Sequence, residues 1–193
     1  MLMTNENVRL FPQDHLLKYT ILRLLPHWIL PNHLTILRFI LIPIVLVLLW
    51  QERWPWALGL FLLAGLTDVI DGSMARVRKQ ITLWGTVADP IADKLLVGTV
   101  VVLFVATEVN PIFAAIIVCM ELLIVVGAFF RRKKRGYVSA NEYGKVKMLL
   151  QIIGVALLLV AKCIGLELVV PFAVGTLTLA IVFAIVSFLT YGL

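Results

Sequence analysis

The chain has 193 residues, 62% of them hydrophobic and 15% charged, with a mean hydropathy of +1.03. A soluble domain is roughly half apolar and about a quarter charged, so the composition excludes both a water-soluble globule and a disordered chain. The formal charge of +6 is therefore a statement about membrane topology before it is one about nucleic acid.

At ~20 residues per spanning helix, the length accommodates about six spans and little else. Residues 1–13 are polar. Asp14 has the character of an N-cap, and after it Leu16, Leu17, Tyr19, Ile21, Leu24 and Leu25 alternate with Lys18, Thr20 and Arg23. That segment is too polar to span and fits an amphipathic helix in the headgroup layer, ended by Pro26 and Pro31. Residues 1–30 carry no basic start, apolar run and small-residue cleavage site of a signal peptide.

Span one is expected over Asn32–Trp50, followed by the turn Gln51–Arg53, with Trp50, Trp54 and Trp56 as an interfacial belt. Span two covers Trp54–Arg76, and the basic turn Arg76–Gln80 leads to span three, Leu83–Ala106. Asn110 and Pro111 open span four, which contains Glu121 and reaches Phe130 ahead of the run Arg131-Arg132-Lys133-Lys134-Arg135-Gly136. Span five covers Asn141–Ala161, and span six lies in the charge-free stretch Leu168–Leu193. The expected fold is all-α and polytopic: an N-terminal segment of residues 1–31, then a six-helix domain of residues 32–193. Of the 17 Lys and Arg residues, all but Arg53 and Lys162 then fall on one side, so both termini are expected in the cytoplasm. With no transit segment visible, the expected location is a prokaryotic cytoplasmic membrane. Cys119 and Cys163 read as small apolar fillers, and His15, His27 and His33 form no ligand cluster.

Acidic residues inside spans are costly and mark function. Asp68 and Asp71 lie near the cytoplasmic end of span two, and Asp89 and Asp93 near that of span three. On a helical projection Asp68, Asp71, Gly72 and Ala75 share an arc of about 100°, and Gly85, Asp89 and Asp93 one of about 80°. Two antiparallel helices joined by a short turn face these groups together. Four carboxylates at one depth need cations among them, and hard oxygen ligands favour Mg²⁺, Mn²⁺ or Ca²⁺. Gly72, Ala75 and Gly85 leave room against the backbone, and Arg76 at the rim suits a phosphate oxygen. A two-metal site for phosphoryl transfer is the chemistry these residues suggest. A cation or proton transporter would also place acids in the membrane, but no acid chain continues to the other face.

The string Asp68-x₂-Asp71-Gly72-x₂-Ala75-Arg76-x₈-Gly85-x₃-Asp89-x₃-Asp93 resembles the complete signature of the CDP-alcohol phosphotransferases. Pro31-Asn32-x-Leu34-Thr35-x-x-Arg38 and Gly144-Lys145-Val146-Lys147 resemble the phosphatidylglycerophosphate synthase branch of that family. The resemblance implies six transmembrane helices around a polar cavity open to the cytoplasm, usually in a homodimer, and transfer of a phosphatidyl group from CDP-diacylglycerol to an alcohol with release of CMP. It makes Asp68, Asp71, Asp89 and Asp93 the ligands of two divalent cations, Mg²⁺ or Mn²⁺, with Asp93 also the general base. It makes Gly72, Ala75, Arg76 and Gly85 contacts of the cytidine diphosphate part, and adds Asn32, Thr35 and Arg38 as contacts of the donor headgroup.

For the acceptor, Lys145 and Lys147 begin a helix whose N–H groups favour an anion, and Arg131 and Arg132 lie nearby in topology, so a phosphorylated polyol such as sn-glycerol 3-phosphate is expected there. The branch usually carries Arg-Glu in span four, where this chain has Met120-Glu121. That departure leaves inositol phosphate or phosphatidylglycerol open as acceptors, and gives Glu121 a structural alternative as partner of Lys94 or Arg38.

Overall fold

The computed structural model describes residues 12–24, 26, 29–78, 80, 82–135 and 142–191, and the regular elements among them are helices. They are α1 (Pro12–Tyr19), α2 (Ile21–Leu24), α3 (Pro31–Trp50), α4 (Trp54–Val77), α5 (Leu83–Val100), α6 (Ala106–Glu108), α7 (Pro111–Arg135), α8 (Glu142–Ile164) and α9 (Val169–Tyr191). A π-helical stretch, Val101–Val105, carries α5 directly into α6. The chain divides into two compact units, Met1–Val47 with Gly59–Leu96 and Leu48–Leu58 with Val97–Leu193.

In the first unit the expected interfacial segment is two short helical pieces, α1 and α2. Asp14 is not an N-cap. It sits in the first turn of a helix that starts at Pro12, and its side chain is fully buried. Leu22 packs with Ile70 and Met74 of α4, and Ile29, Leu34 and Val77 close around that cluster. Arg78 fastens the same segment, donating to the backbone carbonyls of Ile29 at 3.0 Å and of Leu22 and Pro26 at 3.4 Å. Pro31 opens α3 instead of merely ending what precedes it, as a proline does at a first helical position where no N–H partner is needed.

In the second unit the turn after α3 closes with Arg53 N–H donating to the Leu48 carbonyl and Glu52 N–H to that of Leu49. Glu52 takes the left-handed conformation this cap requires, at φ 56°. Gly165, at φ 67°, does the same after α8. Asn110 caps α7, its Oδ1 accepting from the N–H groups of Ile112 at 2.8 Å and Phe113 at 3.3 Å, with Pro111 behind it in the first helical position. Helix α9 packs on α7 and α8. At the α8–α9 crossing a Cβ on Gly154 would lie 2.7 Å from Leu177 Cγ, the close approach that small residues permit between membrane helices.

Polar side chains are buried beside the apolar core, while many large apolar side chains face outward. Thr35, Arg38, Asp71, Ser73, Lys147, Gln151 and Ser187 are buried, whereas Leu62, Leu66, Leu149, Leu179, Val182 and Leu189 are exposed. Such outer faces suit lipid and not water. Among the described residues four helices are long and apolar enough to cross a bilayer, over Pro31–Trp50, Trp54–Val77, Tyr143–Ile164 and Val169–Thr190, and α7 contains a shorter apolar stretch, Pro111–Gly127. Helix α5 carries Asp89, Asp93 and Lys94 within its length, so its charge keeps it out of that group.

Candidate active site

The site grows from three helices of the first unit. On α3, Asn32, Thr35 and Arg38 are three residues apart and so lie along one face. Helix α4 contributes Asp68 and Asp71, and α5 contributes Gly85, Asp89 and Asp93 at intervals of four.

Arg38 is the hub. Its side chain is fully buried. Nη1 lies 2.6 Å from Asp93 Oδ1 and 3.0 Å from Asp68 Oδ1, and Nη2 donates to Asp71 Oδ2 at 2.7 Å. Thr35 completes the set by donating to Asp89 Oδ1 at 2.7 Å, with Asp71 Oδ2 at 3.5 Å. The four aspartates that periodicity placed on facing arcs thus converge, through one arginine and one threonine of α3. Arg38 and Thr35, expected as donor-headgroup contacts, are here occupied with the aspartates.

No His, Cys, Asp or Glu triplet among the described residues closes on one point as an ion's ligands would. The carboxylates of Asp68, Asp71 and Asp93 close on Arg38 instead. The donor set nevertheless fits hard divalent cations: oxygens from α4 and α5 already bracket one positive centre, the Arg38 Nη1 atom, at 3.0 Å or less. Among the described residues Arg38 Nε is buried without a hydrogen-bond partner, so the guanidinium is an incompletely satisfied occupant of the cage.

The glycines behave differently from each other. Gly85 N–H donates to Thr82 Oγ1 at 3.0 Å, and that hydroxyl donates to Asn32 Oδ1 at 2.9 Å. A Cβ at Gly85 would stand 3.0 Å from Thr82 Oγ1, 3.3 Å from Asn32 Oδ1 and 3.6 Å from Asp89 Oδ2. The space expected beside Gly85 is therefore taken up by the Thr82 cap and Asn32, and the glycine serves the close approach of α3 to the start of α5. Beside Gly72 the nearest atom is Arg76 Nη1, 3.4 Å from the position of a Cβ. Ala75 is half-buried one turn along. Arg76 is held side-on by Asp14, with Nε to Oδ2 at 2.8 Å and Nη2 to Oδ1 at 2.9 Å.

Within the second unit, Lys147 donates to Glu121 Oε1, and Gln151 Nε2 donates to the same oxygen at 2.9 Å. Among the described residues Glu121 is thus paired with Lys147, in the second turn of α8 and one turn from Gln151, while the aspartates hold Arg38. Lys147 is buried and Lys145 exposed, so the two lysines of the Gly-Lys-Val-Lys motif face different surroundings. Arg131 and Arg132 belong to α7, but their side chains lie outside the described residues, as do Asn141 and His27. Sequence reasoning missed the contacts of three residues. Thr82 carried a legible signal, a threonine three residues ahead of Gly85 at a helix start. Asp14 and Gln151 carried none, because their partners are distant in the chain.

Residues 28–190 match the model of the CDP-alcohol phosphatidyltransferase family. The chain belongs to this family. It is 35% identical over 175 residues to a Bacillus subtilis protein named CDP-diacylglycerol–glycerol-3-phosphate 3-phosphatidyltransferase, covering 82% of this chain and 90% of the relative. A Rickettsia typhi protein of the same name is 34% identical over 137 residues, covering 69% of this chain and 77% of the relative. A human protein named cardiolipin synthase (CMP-forming) is 34% identical over 107 residues, covering 54% of this chain and 36% of that protein.

Proposed function

We propose that this enzyme transfers the phosphatidyl group of CDP-diacylglycerol to sn-glycerol 3-phosphate, releasing CMP and forming phosphatidylglycerophosphate. The observation that carries the reading is the convergence of Asp68, Asp71 and Asp93 on Arg38, with Asp89 held beside them by Thr35, each aspartate at its place in the family signature. The relatives named for that reaction, matched over most of their length, support the acceptor.

In the reaction the acceptor hydroxyl oxygen forms a bond to the phosphorus that bears the diacylglycerol, and the bond from that phosphorus to the oxygen bridging it to CMP breaks. CMP leaves with the bridging oxygen, and Asp93 takes the hydroxyl proton. Asp68, Asp71, Asp89 and Asp93 would hold two divalent cations, Mg²⁺ or Mn²⁺, which supply charge stabilisation to the phosphate oxygens. Arg76 and the clearing at Gly72 and Ala75 hold the diphosphate, and Asn32 and Gly85 border it. Lys145, Lys147, Arg131 and Arg132 receive the acceptor's phosphate, Lys147 by exchanging Glu121 for it. Residues 32–193 form the catalytic domain of six spans, with a polar cavity and both termini on the cytoplasmic side of a prokaryotic cytoplasmic membrane. The enzyme works as a homodimer, and residues 1–31 lie at the membrane surface.

A second reading keeps the donor chemistry and takes phosphatidylglycerol as acceptor, which the similarity to a cardiolipin synthase favours. Purified enzyme given CDP-diacylglycerol, Mg²⁺ and a panel of glycerol 3-phosphate, phosphatidylglycerol and inositol phosphate separates the two. Phosphatidylglycerophosphate and CMP in equal amounts are expected from the first acceptor, and at least ~10³-fold less from Asp93→Asn or Asp89→Asn. Full activity in either variant sinks the mechanism, and product from another acceptor alone sinks the choice of substrate.

A further inference from the structure

We propose that Asp14 is a positioning residue for the donor site: it aims the Arg76 guanidinium across Gly72, making the N-terminal segment part of the machinery that binds the CDP diphosphate. The inference rests on the reading that Arg76 and Gly72 receive that diphosphate. Asp14 is separated from Arg76 by 62 positions in sequence and has no exposed surface. A carboxylate is placed in such a position at a cost unless its lone pairs are matched. Here both oxygens are matched by the side-on edge of the guanidinium, Nε at 2.8 Å and Nη2 at 2.9 Å.

A two-point pair of this kind fixes the plane of the guanidinium as well as its place. The guanidinium so fixed lies over Gly72, with Nη1 3.4 Å and Nη2 3.7 Å from where a Cβ would stand. Ser73 Oγ, 3.4 Å from Nη2, supports the same orientation from within α4. The segment carrying Asp14 is secured separately, by the Leu22, Ile70 and Met74 cluster and by Arg78 on the carbonyls of Leu22, Pro26 and Ile29. The segment is thus held by contacts besides the Asp14–Arg76 pair, so loosening the segment and releasing Arg76 can be tested apart.

The test uses the full chain in mixed micelles, with KM taken separately for CDP-diacylglycerol and for the acceptor, and CDP binding followed by calorimetry without acceptor. Asp14→Asn is expected to raise the donor KM and weaken CDP binding roughly tenfold or more, leaving the acceptor KM within about twofold. Asp14→Glu, which keeps the charge but displaces the guanidinium, gives a smaller rise of the same donor-specific kind, and carries the test if the asparagine variant fails to fold. Adding Asp14→Asn to Arg76→Gln changes the donor KM no further. Arg78→Gln, which removes the bonds to the Leu22, Pro26 and Ile29 carbonyls and keeps Asp14 and Arg76, lowers thermal stability without a donor-specific change. An unchanged or lowered donor KM in both Asp14 variants, or the same donor-specific rise in Arg78→Gln, overturns the role of Asp14. If Arg76→Gln leaves the donor KM and CDP binding unchanged, the donor-site reading of Arg76 fails and this inference with it. A rise in Arg76→Gln without one in the Asp14 variants leaves that reading standing.

Discussion

Replacing Arg38 with glutamine tests whether the arginine is the resident counter-charge of the aspartate cage. The side chain is fully buried and lies 2.6, 2.7 and 3.0 Å from carboxylate oxygens of Asp93, Asp71 and Asp68. Each such pair is worth about 4 kcal/mol at a charge separation of ~4 Å and an effective dielectric constant of ~20. Mutual repulsion of the carboxylates and their desolvation offset most of that sum, and breaking a buried pair by removing one partner costs a net of about 3–5 kcal/mol. At roughly 2–4 °C per kcal/mol for a chain of this size, Arg38→Gln in EDTA is expected to unfold on the order of 10 °C below the wild type. Saturating Mg²⁺ or Mn²⁺ restores the missing positive charge, so the variant gains more stability from the metal than the wild type does. The assay is thermal unfolding in detergent with EDTA and across a metal titration, and it needs no substrate. Equal unfolding temperatures in EDTA, or an equal metal-induced gain in both proteins, would refute the idea that Arg38 stands in for the cations.

Two further outcomes follow from the second unit. Gly154→Ala places a Cβ 2.7 Å from Leu177 Cγ and 2.8 Å from Thr176 Oγ1, and is expected to cost about 1–3 kcal/mol through overpacking at the α8–α9 crossing; an unfolding temperature equal to the wild type's would contradict that crossing. Lys147→Met leaves the Glu121 carboxylate with Gln151 as its recorded partner and is expected to destabilise by about 3 kcal/mol, with Glu121→Gln in the same background recovering part of the loss. No recovery in the double variant, measured by the same unfolding assay, would mean the two side chains do not act as a pair.

Much of this protein was determined locally. An apolar run long enough to span shows itself residue by residue, and α3, α4, α8 and α9 begin and end within a few residues of where the sequence placed them. The facing arcs of Asp68 with Asp71 and of Asp89 with Asp93 follow from 3.6 residues per turn alone. The caps at Asn110 and Pro111 are equally local. What the tertiary structure decided is which charge meets which. Arg38 reaches Asp71 across 33 positions and Asp93 across 55, Arg76 reaches Asp14 across 62, and Lys147 reaches Glu121 across 26. Helical periodicity states the direction a side chain takes from its own axis. It does not state which neighbouring axis comes within 3 Å, and in a medium where an unmatched charge is expensive that choice of neighbour sets the electrostatics of the site.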